Sequence, residues 1–199
     1  MEETISLKEL YEILKKRLGL ILLLTIAAAI VSAVISYFIM TPIYHVSTQI
    51  LVNRSIDGEN YNPNEVQTNI QLINTYSGII TSPRILDIVS ENLNGKYTTA
   101  QLQEKITVES QDNSQIISVV VEDPDPHEAA KIANETADVF HDEIKQIMNV
   151  DNVSILTPAE VTKDLSPVKP KPMLNIAIAI VIGLMAGTGI AFLIEYFDN

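Results

Sequence analysis

Two long stretches without a charged residue constrain this chain more than any other feature of its sequence. Residues 18–40 and residues 173–194 are 23 and 22 residues long and are dominated by aliphatic side chains. At about 1.5 Å of rise per residue, a helix of that length covers the roughly 30 Å of a membrane hydrocarbon core. In a chain of 199 residues, both are too long for helices buried in a soluble core. We therefore predict two membrane-spanning helices.

The first stretch has a second interpretation, as a cleaved signal peptide. Val31, Ser32 and Ala33 loosely resemble a small-residue cleavage site. The apolar region of a signal peptide is usually about 7–15 residues long, which is shorter than this stretch. An uncleaved membrane anchor is therefore the preferred interpretation.

The charges beside the two stretches predict their orientation. Lys15, Lys16 and Arg17 directly precede the first stretch, and basic residues favour the cytoplasmic side of a membrane. The second stretch has the opposite bias, with basic residues before it and acidic residues after it. Because the first helix usually dominates and long loops translocate largely regardless of charge, we place residues 41–172 outside the cytoplasm and both termini inside.

These assignments divide the chain into five predicted segments. They are a cytoplasmic amphipathic segment (1–17), a first transmembrane helix (18–40), an extracytoplasmic domain (41–172), a second transmembrane helix (173–194) and a short cytoplasmic tail (195–199).

A short amphipathic helix is predicted just before the first span. Ser6 and Glu9 have the spacing of a capping box, and leucines follow at helical spacing (Leu7, Leu10, Leu14, Leu18). A helix lying on the inner membrane surface is the preferred interpretation, and a partner-binding helix is the alternative.

Small residues recur every four positions in both predicted spans. The set is Ala28, Ser32 and Ser36 in the first span and Ala179, Gly183, Gly187 and Ala191 in the second. Such stripes let helix backbones approach closely, so they are candidate helix-packing surfaces. The alternative is that Gly and Ala are simply common in membrane helices.

The residues between the spans have the periodicities of an α+β domain. We predict strands at 44–52, 106–110, 115–122 and 152–157, helices at 64–81, 82–93, 98–105 and 126–148, and a loop at 57–63. This order favours a mixed sheet with helices on one face, and its first and last strands are expected to lie close together.

Composition and motifs exclude several classes of function. Residues 41–172 carry nine basic and nineteen acidic side chains, an excess of negative charge that repels nucleic acids. The absence of cysteine excludes disulfides and thiolate metal sites. No phosphate-binding glycine motif or nucleophile elbow occurs, and the three histidines lack metal-ligand spacing. We therefore predict no catalytic residue, metal or cofactor.

Two weaker possibilities involve carboxylates. Asp123 and Asp125 could be calcium ligands, but the prolines that follow them are typical of a turn, and the rest of a calcium-binding loop is missing. Glu104 and Glu109 could form a glycosidase pair, although nothing distinguishes them from a solvated acidic surface.

A proline-rich segment precedes the second span. Residues 166–172 read SPVKPKP and include Pro167, Pro170 and Pro172. Prolines at this spacing favour an extended, stiff chain, which we expect to lead back to the membrane.

Taken in order, several segments resemble the Wzz family of chain-length determinant proteins, also called polysaccharide co-polymerases. They are the amphipathic helix before the first span, Thr41-Pro42-Ile43-Tyr44 with the strand at 46–52, the strand at 116–121 with Asp123-Pro124 and residues 129–134, and the proline-rich segment with the second span and residues 195–199. The resemblance covers nearly the whole chain. It is strongest to the Gram-positive branch, whose members modulate a separate bacterial tyrosine kinase.

The resemblance implies a ring-like homo-oligomer around or beside a membrane polymerase that assembles a cell-surface polysaccharide. In the family the protein sets the distribution of polymer lengths, and in this branch the cytoplasmic end also docks and activates the kinase. No catalytic residue or cofactor is implied. The positions that it marks here are the proline-rich segment and the tail after the second span (Glu195, Tyr196, Phe197, Asp198, Asn199).

The predicted function is a non-catalytic membrane regulator of capsular or exopolysaccharide chain length, assembly and export that acts with a tyrosine kinase. The alternative is a transmembrane sensor or adaptor that modulates a cytoplasmic kinase in response to an external ligand. Family members usually continue well past the match to residues 195–199, whereas this sequence stops five residues after the second span. We expect either a truncated chain or one that lacks most of the kinase-contacting tail.

Overall fold

The computed structural model describes residues 7–52, 73–110, 114–149 and 151–198 of the chain. The chain divides into two compact units. Pro42–Val168 forms one unit, and the segments that flank it, up to Thr41 and from Lys169 onward, together form the other. We call them the domain and the helical unit.

The described elements follow the predicted order. They are α1 (Leu7–Lys16), α2 (Leu18–Val34) with a π-helical continuation (Ile35–Ile39), β1 (Tyr44–Val52), α3 (73–80), α4 (Pro83–Asn92), α5 (Thr99–Lys105), β2 (Ile106–Ser110), β3 (Ile116–Asp123), α6 (Pro126–Met148), β4 (Val153–Thr157) and α7 (Pro172–Asp198). The predicted loop at 57–63 and the predicted helix before residue 73 lie outside the described residues.

Two helices of the helical unit are long and apolar enough to cross a membrane. They cover Leu18–Ile39, with 22 residues, and Pro172–Phe197, with 26 residues. Both predicted helices are thus confirmed, and α7 continues four residues past the predicted end of the second span, to Asp198. Helices α2 and α7 pack against each other, and α1 contacts both.

The domain has a four-stranded sheet with the strand order β2-β3-β1-β4, and its helices complete the predicted α+β class. The expectation of a mixed sheet was wrong, because all three strand pairings are antiparallel. Helix α6 does connect two strands, β3 and β4, that run in the same direction. The first strand, β1, lies between them and pairs with both, so among the strands that the structure describes no two parallel strands are neighbours. The predicted proximity of the first and last strands is confirmed by the β1–β4 pairing.

The core of the domain lies between one face of this sheet and the helices. Alternate residues of β1 and β3 are buried, as expected for strands with one covered face. Helix α6 packs on β1 and β3 and is also covered by α4. The rings of Tyr76 and Phe140 meet edge to face inside this core, with their centroids 5.9 Å apart. The Tyr76 hydroxyl accepts a hydrogen bond of 2.9 Å from the Asn152 amide nitrogen, so the buried ring retains a polar partner.

Local signals in the sequence explain where the helices of the domain begin and end. Ser82 and Pro83 start α4, and its end is followed by Asn94 and Gly95 with φ angles of 58° and 68°. Glycine is the usual residue at such positive φ values, so a helix stop after α4 could be predicted. Thr98 caps α5 through a capping box with Gln101.

Candidate functional site

The two long helices approach each other closely at two glycines of the predicted stripe in α7. A Cβ atom added to Gly183 would lie 2.8 Å from Thr25 Cα, and one added to Gly187 would lie 3.0 Å from Ile21 Cα. A side chain at Gly183 therefore requires the backbone to shift, and one at Gly187 requires its neighbour to move slightly. Gly189, on another face of α7, has open space around it.

The other members of the two stripes lie near the same contact to different degrees. Ala191 is fully buried, and the Cβ atom of Ala28 is 3.1 Å from the position that a Cβ on Gly183 would take. Ala179 and Ser32 are half-buried. The structure therefore places Gly183, Gly187 and Ala28 at the interface between α2 and α7. That this interface drives helix association within a membrane remains a prediction.

At one end of the helix pair, a hydrogen bond joins two polar side chains. The Asn175 amide nitrogen donates to the Ser36 hydroxyl over 3.0 Å, and Ser36 is buried within the π-helical continuation of α2. Hydrogen bonds between helices are one of the forces that hold membrane helices together. We call this end of the helix pair the Asn175 end. Sequence reasoning did not single out Asn175, although it is the one amide side chain in residues 173–194.

At the opposite end, an acidic side chain of α7 meets the basic residues between α1 and α2. The Lys16 Nζ atom lies 2.5 Å from Glu195 Oε1, and the Arg17 Nη2 atom lies 3.4 Å from Glu195 Oε2. The Glu195 side chain is only 15% exposed. We call this end of the helix pair the Glu195 end.

Three further tail residues, Tyr196, Phe197 and Asp198, occupy the last turn of α7. Tyr196 and Phe197 are among the most exposed side chains of the helical unit, and their rings are in edge contact with centroids 5.5 Å apart. Asp198 is the last residue of the helix, and Asn199 lies outside the described residues. Exposed aromatic rings are typical of the boundary between a membrane and water.

The segment between β4 and the second span is attached to the domain at several points. The Asn134 side chain on α6 accepts a hydrogen bond from the Ala159 N–H over 2.7 Å and donates one to the Ala159 carbonyl over 2.9 Å. Val161 and Leu165 pack against the core, and the Val168 N–H donates to the Ile43 carbonyl over 2.8 Å. This segment is therefore held against the domain up to the proline-rich region.

The predicted proline-rich residues mark the exit from this attached segment. Pro167 directly precedes the bonded residue Val168, Pro170 follows Lys169 in a cis peptide bond, and Pro172 is the first residue of α7. A proline at the first helical position is favoured because its missing N–H would have no partner there.

A cluster of charged side chains surrounds Tyr97 at one end of the sheet. The Lys105 Nζ atom lies 2.7 Å from the buried Asp123 carboxylate and 5.5 Å from the Tyr97 ring centroid. Burial raises the pKa of Tyr97, and the nearby negative charges of Asp123 and Glu128 add to that increase. A hydrogen bond from Lys96 lowers the pKa of Glu128, and the same bond raises the pKa of Lys96.

This cluster does not have the features of a calcium site. Asp123 Oδ1 accepts a hydrogen bond from the Asp125 N–H and Oδ2 pairs with Lys105, so both oxygens have protein partners. The Asp125 side chain caps the N-terminus of α6 by accepting from the His127 N–H. Within the described ranges, no group of three or more His, Cys, Asp or Glu residues is arranged to hold a metal ion.

Comparison with known proteins identifies the class. The family model described as Wzz, chain length determinant protein, matches residues 3–93, and the model described as GNVR, G-rich domain on putative tyrosine kinase, matches residues 138–195. Together they cover the first long helix, both ends of the domain and most of the second long helix. This arrangement of two apolar helices around an α+β domain is thus that of a chain length determinant protein.

Relatives that match the full chain define the family more narrowly. The chain is 52% identical over its whole length to the probable capsular polysaccharide biosynthesis protein YwqC of Bacillus subtilis, of which it covers 81%. It is 44% identical to the capsular polysaccharide biosynthesis protein CapA of Staphylococcus aureus, and 40% identical to the type 5 protein cap5A of that species, covering 89% of each. The chain therefore belongs to the Wzz chain length determinant family, together with these Gram-positive capsular proteins, and the resemblance inferred from the sequence is confirmed.

Proposed function

We propose that this protein is a non-catalytic regulator of capsular or exopolysaccharide chain length, assembly and export that acts with a partner bacterial tyrosine kinase. The observation that carries the proposal is its similarity along the whole chain to proteins named for capsular polysaccharide biosynthesis. The protein acts as a scaffold: copies of the chain form a homo-oligomer beside the polymerase and export machinery and limit polymer extension.

A non-catalytic role is supported by what the buried polar groups of the domain do. Asp123 is committed to Lys105 and to the turn before α6. Thr136 bonds to the carbonyl of Ile132, and Asn134 holds Ala159. These contacts give each of these groups a structural role in the fold.

The proposed orientation places residues 41–172 outside the cytoplasm and both termini inside it. The charge bias of the second span opposed this orientation in the sequence, because acidic residues follow that span. Glu195, however, is paired with Lys16 and Arg17. Its negative charge is therefore compensated by the basic residues that favour the cytoplasm, which supports the orientation set by the first span.

Deletion of the gene tests the proposed function. We expect the length distribution or the amount of surface polysaccharide to change, and expression of the intact chain to restore it. A matched variant, Phe140→Ala, should restore it less well, because the cavity left in the core destabilises the domain by about 3–5 kcal/mol. Polymer of unchanged length and amount in the deletion strain would refute the proposal.

Single cysteines test the orientation, because the natural chain has none. Asp138 is exposed on α6, and Lys15 is exposed on α1. In intact cells, a membrane-impermeant maleimide should label Asp138→Cys but should label Lys15→Cys only after lysis. The reverse pattern would contradict the proposed orientation.

A second candidate function is a transmembrane sensor or adaptor for a cytoplasmic kinase. It is favoured by the match of residues 138–195 to a domain described from putative tyrosine kinases. This candidate is tested by titrating the full chain in lipid nanodiscs with polysaccharide fragments in the presence of the kinase. The measured quantity is kinase autophosphorylation. A dose-dependent change in phosphorylation is expected for a sensor, and phosphorylation that ignores the fragments would exclude this candidate.

A further inference from the structure

The geometry points to a charge clamp at the Glu195 end of the helix pair, formed by Glu195 with Lys16 and Arg17. The clamp fixes the end of α7 against the junction between α1 and α2. The chain that leaves α7 is thereby held beside the N-terminal helix, and both move as one body. Any role of the clamp in regulating a kinase rests on the proposed function, whereas the existence of the clamp does not depend on it.

Two contacts of one carboxylate support the clamp. Glu195 Oε1 and Oε2 reach two different cations, at 2.5 Å and 3.4 Å. The cations are adjacent in sequence, and they lie 179 and 178 residues from Glu195 along the chain. No local helix geometry produces such a pair, so it reflects the packing of α7 against the other two helices.

The two ion contacts differ in their exposure to water. Lys16 is 57% exposed, as in an ordinary surface ion pair, whereas Arg17 and Glu195 are 26% and 15% exposed, so water screens the Arg17 contact less. Glu195 also follows directly after an apolar stretch, where an unpaired carboxylate is costly. Neutralising it locally removes that cost.

The clamp differs from the contacts elsewhere between α2 and α7, because it also involves α1. Gly183 and Gly187 provide close backbone contact, and Asn175 provides one hydrogen bond at the far end. These contacts do not involve α1. At the Glu195 end, a side chain of α7 is joined to the residues at which α1 meets α2, so α1 is included in the rigid pair.

Distance measurements between spin labels on the full chain in lipid nanodiscs test the clamp. One label pair, Lys15→Cys with Phe197→Cys, reports the Glu195 end, and a second pair, Met40→Cys with Met173→Cys, reports the Asn175 end. All four positions are exposed, and the chain has no native cysteine. An excess of unlabelled protein removes distances between copies.

The charge reversal Glu195→Lys should broaden the distances at the Glu195 end only. We expect the population at the wild-type distance to fall about fivefold relative to the population at longer distances, because an attractive ion pair is replaced by charge repulsion. Lys16→Glu should act likewise, and the double variant Glu195→Lys with Lys16→Glu should recover part of the narrow distribution, because positions 16 and 195 again carry opposite charges while Arg17 is unchanged. Neither charge reversal changes the membrane orientation predicted from the first span, because Lys15 and Arg17 remain before it.

Three results would overturn the clamp. They are an unchanged Glu195 end in Glu195→Lys, equal broadening at both ends, and a double variant no narrower than the single variants. The distance measurements require neither a kinase nor a polysaccharide. The clamp can therefore stand if deletion of the gene leaves the polysaccharide unchanged, and it can fail while the proposed function holds.

Discussion

In the domain the large apolar side chains point inward, whereas in the helical unit most of them point outward. Phe140 on α6 is fully buried, and Phe38, at the end of the first long helix, is 85% exposed. The interior of the domain is filled by large side chains such as Tyr76, Ile80 and Ile117. The interface of the long helices instead has Gly183 and Gly187 at its close contacts, the buried aliphatic side chain of Ile21, and the Asn175–Ser36 hydrogen bond.

The difference follows from the medium that each unit faces. In water, burying large apolar side chains is the main stabilising term, so they collect in the core. In lipid, apolar side chains gain little by leaving the surface, and helices associate through close packing and hydrogen bonds. The same residue types therefore have opposite structural roles in the two units, and substitutions can test that contrast.

The largest difference is expected between two phenylalanines. Phe140→Ala should lower the free energy of unfolding of the domain by about 3–5 kcal/mol, because it leaves a cavity against Tyr76. Phe38→Ala removes an exposed ring and should change domain unfolding by less than about 0.5 kcal/mol. Thermal unfolding of the full chain in detergent, followed by circular dichroism of the domain transition, measures both. Equal effects would remove the contrast between the two units.

A second pair of substitutions compares two faces of α7. Gly183→Ile should weaken the packing of α2 on α7 by roughly 1–3 kcal/mol, because its Cβ alone would meet the backbone of Thr25. Gly189→Ile faces open space and should have little effect. Energy transfer between fluorophores at Met40→Cys, directly after the first long helix, and Met173→Cys, in α7, followed during a titration with SDS, reports separation of these two helices. A similar midpoint for the two variants would show that close packing at Gly183 is unimportant.

A polar contact tests the attachment of the segment after β4. Asn134→Ala removes both hydrogen bonds to Ala159 and leaves backbone groups of a buried residue without these partners, which should cost about 1–2 kcal/mol. Asp138→Ala, on the exposed side of the same helix, is the control. We expect faster proteolysis of residues 158–165 in Asn134→Ala, measured by mass spectrometry of the fragments. Cleavage at the control rate would show that Asn134 does not hold this segment.

Much of the fold could be predicted because its signals are local. The alternation in Tyr44–Val52 predicted the limits of β1, and the proline at Pro126 predicted the start of α6. The apolar stretches predicted both long helices to within a few residues, because length and absence of charge depend on no other part of the chain.

The parts that sequence reasoning missed depend on contacts between distant residues. The order of strands requires knowing that β1 lies between β3 and β4, and no local pattern encodes that pairing. The Glu195 ion pair joins opposite ends of the sequence. From the sequence alone, Glu195 was only an acidic residue after the second span, which opposed the orientation predicted from the first span. The Asn134 contact was missed for a similar reason, since it joins α6 to a segment 25 residues further on.

The smallest expected effect concerns a surface pair of the domain and its dependence on pH. The hydrogen bond from Lys96 lowers the pKa of Glu128, so ionised Glu128 stabilises the folded state at pH values above its unfolded pKa. That contribution should be lost as the pH falls below the ordinary value of 4.5 and through the lowered pKa. Glu128→Gln should therefore reduce the Tm at neutral pH but match the wild type in acid. Because the Lys96 side chain is 54% exposed, screening keeps the effect small, and added salt should shrink it further.

A partner variant separates this pair from a general effect of charge. Lys96→Met should lower the Tm at neutral pH in the wild-type background but have less effect in Glu128→Gln, because the bond is already absent there. Independent, additive effects of the two substitutions would show that the pair contributes nothing, and a Tm difference that persists in acid would assign the role of Glu128 to packing. Either result would show that this exposed pair adds little to the stability that the apolar core provides, in contrast to the more buried Lys105–Asp123 pair of the same cluster.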